Sequence, residues 1–461
     1  MTDAADLTLM DLLPLLRSRS LSARELLADC LVRVEQHEPA VRAFVTLTPD
    51  LARSAAVAAD EARAADRPVG LLAGVPVALK DLYLTRGVPT TASSRVLQGY
   101  DPGIDAELWA RLRGAGAGLL GKTTLHEFAY GTGSHPTRNP WDLLRTPGGS
   151  SGGSGAALAA RMVPVATGSD TGGSLRIPAA ACGLSSLRAT AGRVSAYGAL
   201  PLSHTLDATG PMARRMRDVS LLLRLLAGHD PRDPHSLDEP VPDYPDGPRE
   251  DLDGVRIGLP SSIFWDDVDE QIVAGCRGGL QRLVDRGAEL VDVEPPAATA
   301  EVLAVPGAYG HTMGPEALAH HAEWLADREE LYGDGVRHRF AEARRTTPEQ
   351  YEQAQRDRVR WRADWRAVFA AAQLDALAHP TIPQPPQVQP DEGRGVGPTI
   401  SLAKAWPLAG FPALSVPTGV DDRGLPVGLQ LAGLPEQEAA LVGLGITLDE
   451  DVRLWAAPAP G

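Results

Sequence analysis

The chain has 461 residues, of which 43% are hydrophobic and 22% are charged, an ordinary globular composition. Its formal net charge of −15 argues against a nucleic-acid backbone or an anionic membrane as its main partner. Cys30, Cys182 and Cys276 form no CxxC pair, which indicates neither a disulfide framework nor a structural zinc site. The sequence has no basic, apolar leader and no stretch of ~18 uncharged apolar residues, so we expect a cytoplasmic protein.

Lysine is rare in this chain. Of the 44 lysine and arginine residues, only Lys80, Lys122 and Lys404 are lysines. Arginine cannot lose its proton in a protein, whereas lysine can. A lysine kept against this bias is therefore a candidate general base.

The N-terminal part of the chain predicts helices followed by a buried strand. Residues 8–38 predict two helices, because Ser22-Ala-Arg-Glu25 is a capping box that precedes apolar residues at helical spacing. The alanine-rich residues 51–65 predict another helix. Residues 75–79 predict a buried strand that ends at Lys80.

Lys80 has two open interpretations at this point. At the mouth of a buried strand it is partly desolvated, which lowers the pKa of its amine and favours a base. A structural ion pair with Asp81 or another carboxylate fits the sequence equally well.

Residues 116–123 match both the phosphate-loop and the GxGxxG patterns. Both patterns need a strand before the glycines and a helix after them. Here a charged helix, capped by Asp105 and ending at Gly114, precedes the glycines. We therefore predict a glycine turn and a strand through Leu120, without a nucleotide site.

The rest of the chain predicts alternating helices and strands. Residues 229–254 predict a solvent-exposed segment, and residues 381–399 predict a Pro/Gly-rich loop. Predicted helices are 154–161, 210–226, 268–284 and most of 300–370, and predicted strands are 163–166, 255–259, 290–293, 412–419 and 425–431. The helical region contains His311, Glu316, His320 and His321. Solvated helix faces give this pattern more often than metal sites do, so we predict no metal.

Residues 146–178 contain the predicted catalytic serines. Two glycine-rich serine clusters flank one short apolar segment. Glycine lets backbone N–H groups approach a ligand closely, and a serine hydroxyl becomes a nucleophile once a base removes its proton. We predict that Ser150 and Ser174 come together beside an anion-stabilising turn, with Lys80 as the base.

A nucleophile elbow is the alternative mechanism. Residues 148–152 and 149–153 both satisfy GxSxG, but that motif needs a strong strand directly before it. The preceding residues 139–147 are irregular and bounded by prolines. A Ser-His-Asp esterase with His204 among its possible bases remains open.

The central motifs, together with Gly74-Val-Pro-Val-Ala-Leu-Lys-Asp81 and Gly428-Leu-Gln-Leu431, resemble the amidase signature family over nearly the whole chain. The resemblance implies an α/β fold in which one large mixed β-sheet is surrounded by helices. It further implies a single domain over 1–461, with a helical substrate-pocket region at about 300–370.

The resemblance also implies the role of each site residue. Ser174 would be the nucleophile, and Ser150, on a cis peptide bond, would bridge it to Lys80. Asp170 and Arg176 would brace the turn, with Ser151 in support. The oxyanion hole would consist of the backbone N–H groups of Thr171, Gly172, Gly173 and Ser174.

Two departures from the family pattern bear on the substrate. Pro407 replaces the usual asparagine, and residues 396–407 lack the carboxylate with which subunits that feed ammonia to transfer-RNA amidation tend to hold glutamine. We therefore predict an amidase for a small-molecule amide, without metal or cofactor. The alternatives are the glutaminase (A) subunit of a transfer-RNA-dependent amidotransferase and a biosynthetic acyl-transfer enzyme. A homodimer is compatible with the sequence.

Overall fold

The computed structural model describes residues 3–304, 306–389, 402–452 and 454. Within them, eleven strands form one sheet. In chain order the strands are β1 (Phe44–Leu47), β2 (Pro76–Lys80), β3 (Gly118–Thr123), β4 (Val165–Ser169), β5 (Ser185–Arg188), β6 (Thr209–Ala213), β7 (Arg256–Pro260), β8 (Glu289–Val293), β9 (Ala376–Pro380), β10 (Ala413–Val420) and β11 (Pro426–Ala432). The helices are α1 (Leu9–Ser18), α2 (Ala23–Val41), α3 (Pro49–Ala64), α4 (Glu107–Gly114), α5 (Gly152–Ala159), α6 (Arg176–Cys182), α7 (Met216–Leu226), α8 (Glu270–Val284), α9 (Thr299–Val302), α10 (Gly307–Asp327), α11 (Asp334–Ala343), α12 (Pro348–Ala372), α13 (Ala405–Ala409) and α14 (Glu438–Asp449).

The sheet is mixed, with the strand order β1-β3-β2-β4-β6-β5-β10-β11-β9-β7-β8. Strand β2 runs parallel to β3 and β4, and β7 runs parallel to β8 and β9. The pairs between β4 and β9 are antiparallel. The α/β fold with one large mixed sheet is therefore confirmed.

Helices cover both faces of the sheet. A Cβ atom at Gly428 would lie 2.5 Å from Ala180 of α6, whereas one at Gly275 of α8 would lie 2.9 Å from Val427. Neighbouring residues of a strand point to opposite faces. Helices α6 and α8 therefore sandwich β11, and the strands between them are buried on both sides.

The parallel strands β2 and β4 position the candidate catalytic residues. Val77 aligns with Val165 and Ala78 with Ala166, so both strands end at the same edge of the sheet. Lys80 is the last residue of β2. The two glycine-rich serine clusters lie directly before α5 and α6.

Most predicted elements are present in the structure. The capping box of Ser22 and Glu25 begins α2, with reciprocal hydrogen bonds between the two residues. Residues 118–123 form a strand rather than a phosphate loop. The strands predicted over 255–259, 412–419 and 425–431 correspond to β7, β10 and β11.

Two predictions about local structure were wrong. Asp105 does not cap α4, whose N-cap is Ala106. Its carboxylate accepts the Arg86 N–H at 2.8 Å and pairs with Arg113 at 2.7 Å. The helix predicted over 210–226 begins only at Met216, because the residues before it pair with β4 and β5 as strand β6.

Part of the predicted loop over 381–399 and part of the 396–407 segment lie outside the described residues. Among the helices of the described ranges, none is both long enough and apolar enough to span a bilayer. The cytoplasmic location stays a prediction.

Candidate active site

Lys80 is fully buried at the end of β2. Its Nζ donates hydrogen bonds to Ser150 Oγ at 2.7 Å and to Ser169 Oγ at 2.8 Å. No carboxylate among the described residues lies within 4.0 Å of this amine. The structural ion pair that the sequence left open for Lys80 is not formed.

Burial controls the protonation of Lys80. Desolvation lowers the pKa of its amine to about 7, and the charges of Asp170 and Asp207 oppose this shift only in part. An ordinary lysine has a pKa of ~10.4. A neutral amine, able to accept a proton from a hydroxyl, is therefore available near neutral pH.

Lys122 on the adjacent strand β3 is the contrasting case. It is also fully buried, and burial lowers the pKa of its amine against the opposing charge of Asp81. Its Nζ lies 3.1 Å from Asp81 Oδ1, 2.9 Å from the Tyr83 carbonyl and 2.9 Å from Thr90 Oγ1. These three acceptors match the three N–H bonds of an ammonium, so Lys122 is a structural ion-pair partner.

Ser150 is held by its backbone. It follows a cis peptide bond from Gly149, and its carbonyl accepts the His126 N–H and the Ser134 hydroxyl, each at 3.1 Å. The Ser150 hydroxyl accepts from Lys80, and within the described residues it makes no hydrogen bond to Ser174.

Ser169 is a site residue that the sequence analysis missed. It ends β4, and its hydroxyl is the second acceptor of Lys80. The Ser151 hydroxyl bonds both the N–H and the carbonyl of Ser169 at 3.3 Å. Ser151 thus ties the first serine cluster to β4, and its supporting role in catalysis stays a prediction.

Ser174 lies on the loop between β4 and α6, which a buried ion pair braces. The Asp170 carboxylate accepts from Arg176 Nε and Nη2, each at 3.0 Å, and from the Gly173 N–H at 2.8 Å. Arg188 donates to the Asp170 carbonyl. Burial by itself raises the pKa of Asp170, but Arg176 and Arg188 bring it below its ordinary value, so the carboxylate stays charged.

The hydrogen bonds of Asp170 determine which backbone N–H groups of this loop are available to a ligand. Of the four predicted oxyanion donors, Gly173 already donates to Asp170. The N–H groups of Thr171, Gly172 and Ser174 have no acceptor among the described residues. Gly173 has a φ of +122° and no room for a side chain, since a Cβ atom would lie 2.5 Å from Ala403. The loop can thus present up to three backbone donors to an anion.

Ser174 opens onto a cavity of about 710 Å³. We call it the Ser174 cavity; its lining includes Tyr130, Thr171, Ser174, Tyr309, Arg339, Glu342, Arg345 and Lys404. Its residues come from the loops around β4 and from α10 and α11. The helical substrate-pocket region at about 300–370 stays a prediction. A small-molecule amide fits this volume.

His204 lies in a second cavity of about 450 Å³, which also borders Ser169 and Thr171. His204 Nδ1 lies 3.1 Å from His320 Nε2, and the ring is 42% exposed. The Ser150 and Ser151 hydroxyls of the two GxSxG matches bond Lys80 and Ser169 and not His204, so within the described residues the geometry gives the Ser-His-Asp alternative no support.

The remaining His/Glu set is dispersed. Glu316 accepts hydrogen bonds from Ser203 and Tyr351, and His321 bonds the Tyr332 hydroxyl at 2.8 Å. His311 bonds Thr346 at 3.3 Å. Within the described ranges, no group of three or more His, Cys, Asp or Glu side chains could hold a metal ion.

Comparison with known proteins places the chain in a family. A family model described as Amidase matches residues 25–442. The chain belongs to the amidase signature family. The family predicted from the central motifs is therefore confirmed, and this amidase-family member is an enzyme that acts on C–N bonds.

Individual relatives of this family member differ in function. The A subunit of glutamyl-tRNA(Gln) amidotransferase from Chloroflexus aurantiacus is 40% identical over 477 residues, covering 96% of each chain. The solved structure of the corresponding A subunit from Thermotoga maritima has a TM-score of 0.83 at 29% identity and covers 100% of this chain and 98% of its own. The native peptide amidase from Stenotrophomonas maltophilia has a TM-score of 0.83 at 31% identity, with 98% of each chain covered. The fold is shared by both functional types, whereas sequence identity favours the amidotransferase alternative over the simple amidase.

Proposed function

We propose that the protein cleaves a carboxylic amide through an acyl-enzyme on Ser174. The observation that carries this proposal is the buried Lys80 amine, whose acceptors among the described residues are both hydroxyls and whose pKa is lowered to about 7 by burial. A group poised in this way is a base. The Ser174 cavity supplies the space for the substrate.

In the proposed first step, neutral Lys80 takes the proton of Ser150 while Ser150 takes the proton of Ser174. The Ser174 oxygen attacks the amide carbon, and the carbonyl oxygen becomes an oxyanion. The free N–H groups of Thr171, Gly172 and Ser174 stabilise that charge, and each such donor is worth roughly 3 kcal/mol.

In the second half of the proposed reaction the relay runs backwards. The protonated Lys80 returns its proton through Ser150 to the leaving nitrogen, the C–N bond breaks, and an amine or ammonia departs. Water then attacks the acyl-Ser174 ester and loses a proton to the same relay. The relay gives this proton to the Ser174 oxygen as the ester bond breaks and the carboxylic acid is released. In an acyl-transfer enzyme, a second amine would replace this water.

The second candidate is the glutaminase (A) subunit of a glutamyl-tRNA(Gln) amidotransferase, which the 40% identity to such a protein over 96% of the chain favours. The same acyl-enzyme would then release ammonia from glutamine for use by partner proteins. The sequence departs from this candidate in one respect, because residues 396–407 contain no carboxylate to hold glutamine.

Purified protein without partners separates the candidates. A free-standing amidase hydrolyses members of a panel of primary amides, anilides and glutamine with ordinary turnover. A glutaminase subunit is slow on every member and on glutamine until its partner proteins are added. Mass spectrometry of a fluorophosphonate adduct tests the shared chemistry, because labelling at Ser150 or Ser151 instead of Ser174 would contradict both candidates.

A further inference from the structure

Lys404, the residue directly before α13, has no role in the proposed relay. It is 2% exposed and lines the Ser174 cavity. Its neighbour Ala403 packs on Gly173, and the Ala403 carbonyl accepts from Arg176 at 2.9 Å. Lys404 is therefore anchored beside the loop that carries Ser174.

Within the described residues, the ammonium of Lys404 has a single hydrogen-bond partner. Its Nζ makes one long contact, 3.5 Å from the Ala304 carbonyl, although an ammonium has three N–H bonds to donate. No carboxylate among the described residues lies within 4.0 Å of it. Burial lowers the pKa of the amine to about 8, which leaves it mainly charged at neutral pH. A buried charge without a partner is costly, so an anion in the cavity would relieve this cost.

The charged residues of the cavity lining are mainly basic. Arg339 and Arg345 also line it, and within the described chain neither has a carboxylate within 4.0 Å. The acidic residue of the lining, Glu342, lies 3.2 Å from His338 Nε2. A cation-rich cavity in a chain of net charge −15 is a local feature that global charge does not explain.

Building on the proposed amide cleavage at Ser174, we propose that the substrate is an anionic amide whose carboxylate is bound by Lys404. A carboxylate offers several acceptor sites for the unused N–H bonds and neutralises the buried charge. A neutral or cationic substrate of the same shape would leave the ammonium without a partner and would bind less tightly.

The carboxylate could belong to either part of the amide, and matched substrate pairs distinguish the two. Succinamate carries it on the acyl part, with 4-methylpentanamide as the neutral isostere. N-propionylglycine carries it on the amine part, with N-isobutylpropanamide as the isostere. We expect kcat/KM for the anionic member of one pair to exceed that of its isostere by about tenfold or more, the range for one charge-assisted hydrogen bond.

The Lys404→Met variant should abolish this preference, mainly through KM, because methionine keeps the apolar stem and removes the charge. Lys404→Arg keeps the charge and should retain part of the preference, which separates charge from fold. Arg17→Met, at an exposed position of α1, controls for the change in net charge and should leave the preference unchanged.

Each outcome decides the inference. Equal or better hydrolysis of the neutral members in both pairs refutes it, as does a preference that survives in Lys404→Met. Hydrolysis of an anilide without hydrolysis of either anionic amide also refutes it, while leaving the proposed amide cleavage intact. Failure of the proposed function has a different signature, namely no hydrolysis of any amide and no fluorophosphonate labelling of Ser174.

Discussion

Replacing Lys80 by arginine separates two properties of the lysine side chain, its ability to accept a proton and its positive charge. Arginine keeps the charge but cannot give up its proton. In the native protein burial lowers the pKa of the Lys80 amine to about 7, so about half of the molecules carry a neutral amine at pH 7. An ordinary lysine with a pKa of ~10.4 would be neutral in roughly one molecule in 2,500 at that pH.

These values set the expected magnitudes. A positioned general base contributes ~10²–10⁴ in rate, so Lys80→Arg and Lys80→Met should both lower kcat/KM by roughly 10³-fold. The base must be deprotonated to act, so native kcat/KM should rise with pH, from about tenfold below its plateau at pH 6 to the plateau above pH 8. Initial rates of anilide hydrolysis measure both quantities, and circular dichroism confirms folding.

Lys122→Arg is the matched control for this experiment. It makes the same change on the neighbouring strand, where Asp81 provides an ion-pair partner. We expect a lower melting temperature because the site is tightly filled. The rise of kcat/KM with pH should be unchanged in the folded variant. A Lys80→Arg enzyme within about tenfold of native turnover, or a native limb near pH 10, would refute the assignment of Lys80 as the base.

Three further predictions concern the serines, the packing of α5 and metals. Ser174→Ala should abolish fluorophosphonate labelling and Ser150→Ala should only slow it, as mass spectrometry of the adduct measures. The double variant should have a rate little below that of Ser174→Ala, because the effects of residues in one relay are non-additive. Gly153→Ala should destabilise the protein by about 3 kcal/mol in urea unfolding, since its Cβ would lie 2.5 Å from the Thr124 carbonyl oxygen, and an unchanged midpoint would contradict that packing. EDTA should leave amide hydrolysis intact, and activity lost to the chelator and restored by zinc would overturn the mechanism.

The sequence was informative wherever the signal was local. Lysine scarcity singled out three candidate bases, and one of them, Lys80, is a buried amine that bonds two serine hydroxyls. The capping box, the glycine-rich serine clusters and the short apolar strands are all defined by a few neighbouring residues.

Non-local pairing explains what the sequence analysis missed. The chain passes directly from β6 into α7. Residues 209–213 are extended because they pair with β4 and β5. Ser169 reaches Lys80 because β2 and β4 are parallel neighbours. The alignment of two separate strands would have identified it, but spacing along one segment could not.

The burial of all the lysines has a consequence for covalent chemistry. Lys80 and Lys122 are 0% exposed and Lys404 is 2% exposed, so the folded surface presents no lysine to acylating or cross-linking reagents. Apart from the α-amino group of the chain and Lys404, which lines the Ser174 cavity, a succinimidyl ester can modify an amine of this protein only where the structure opens. The order in which Lys80 and Lys122 become labelled would therefore report which part of the interior opens first.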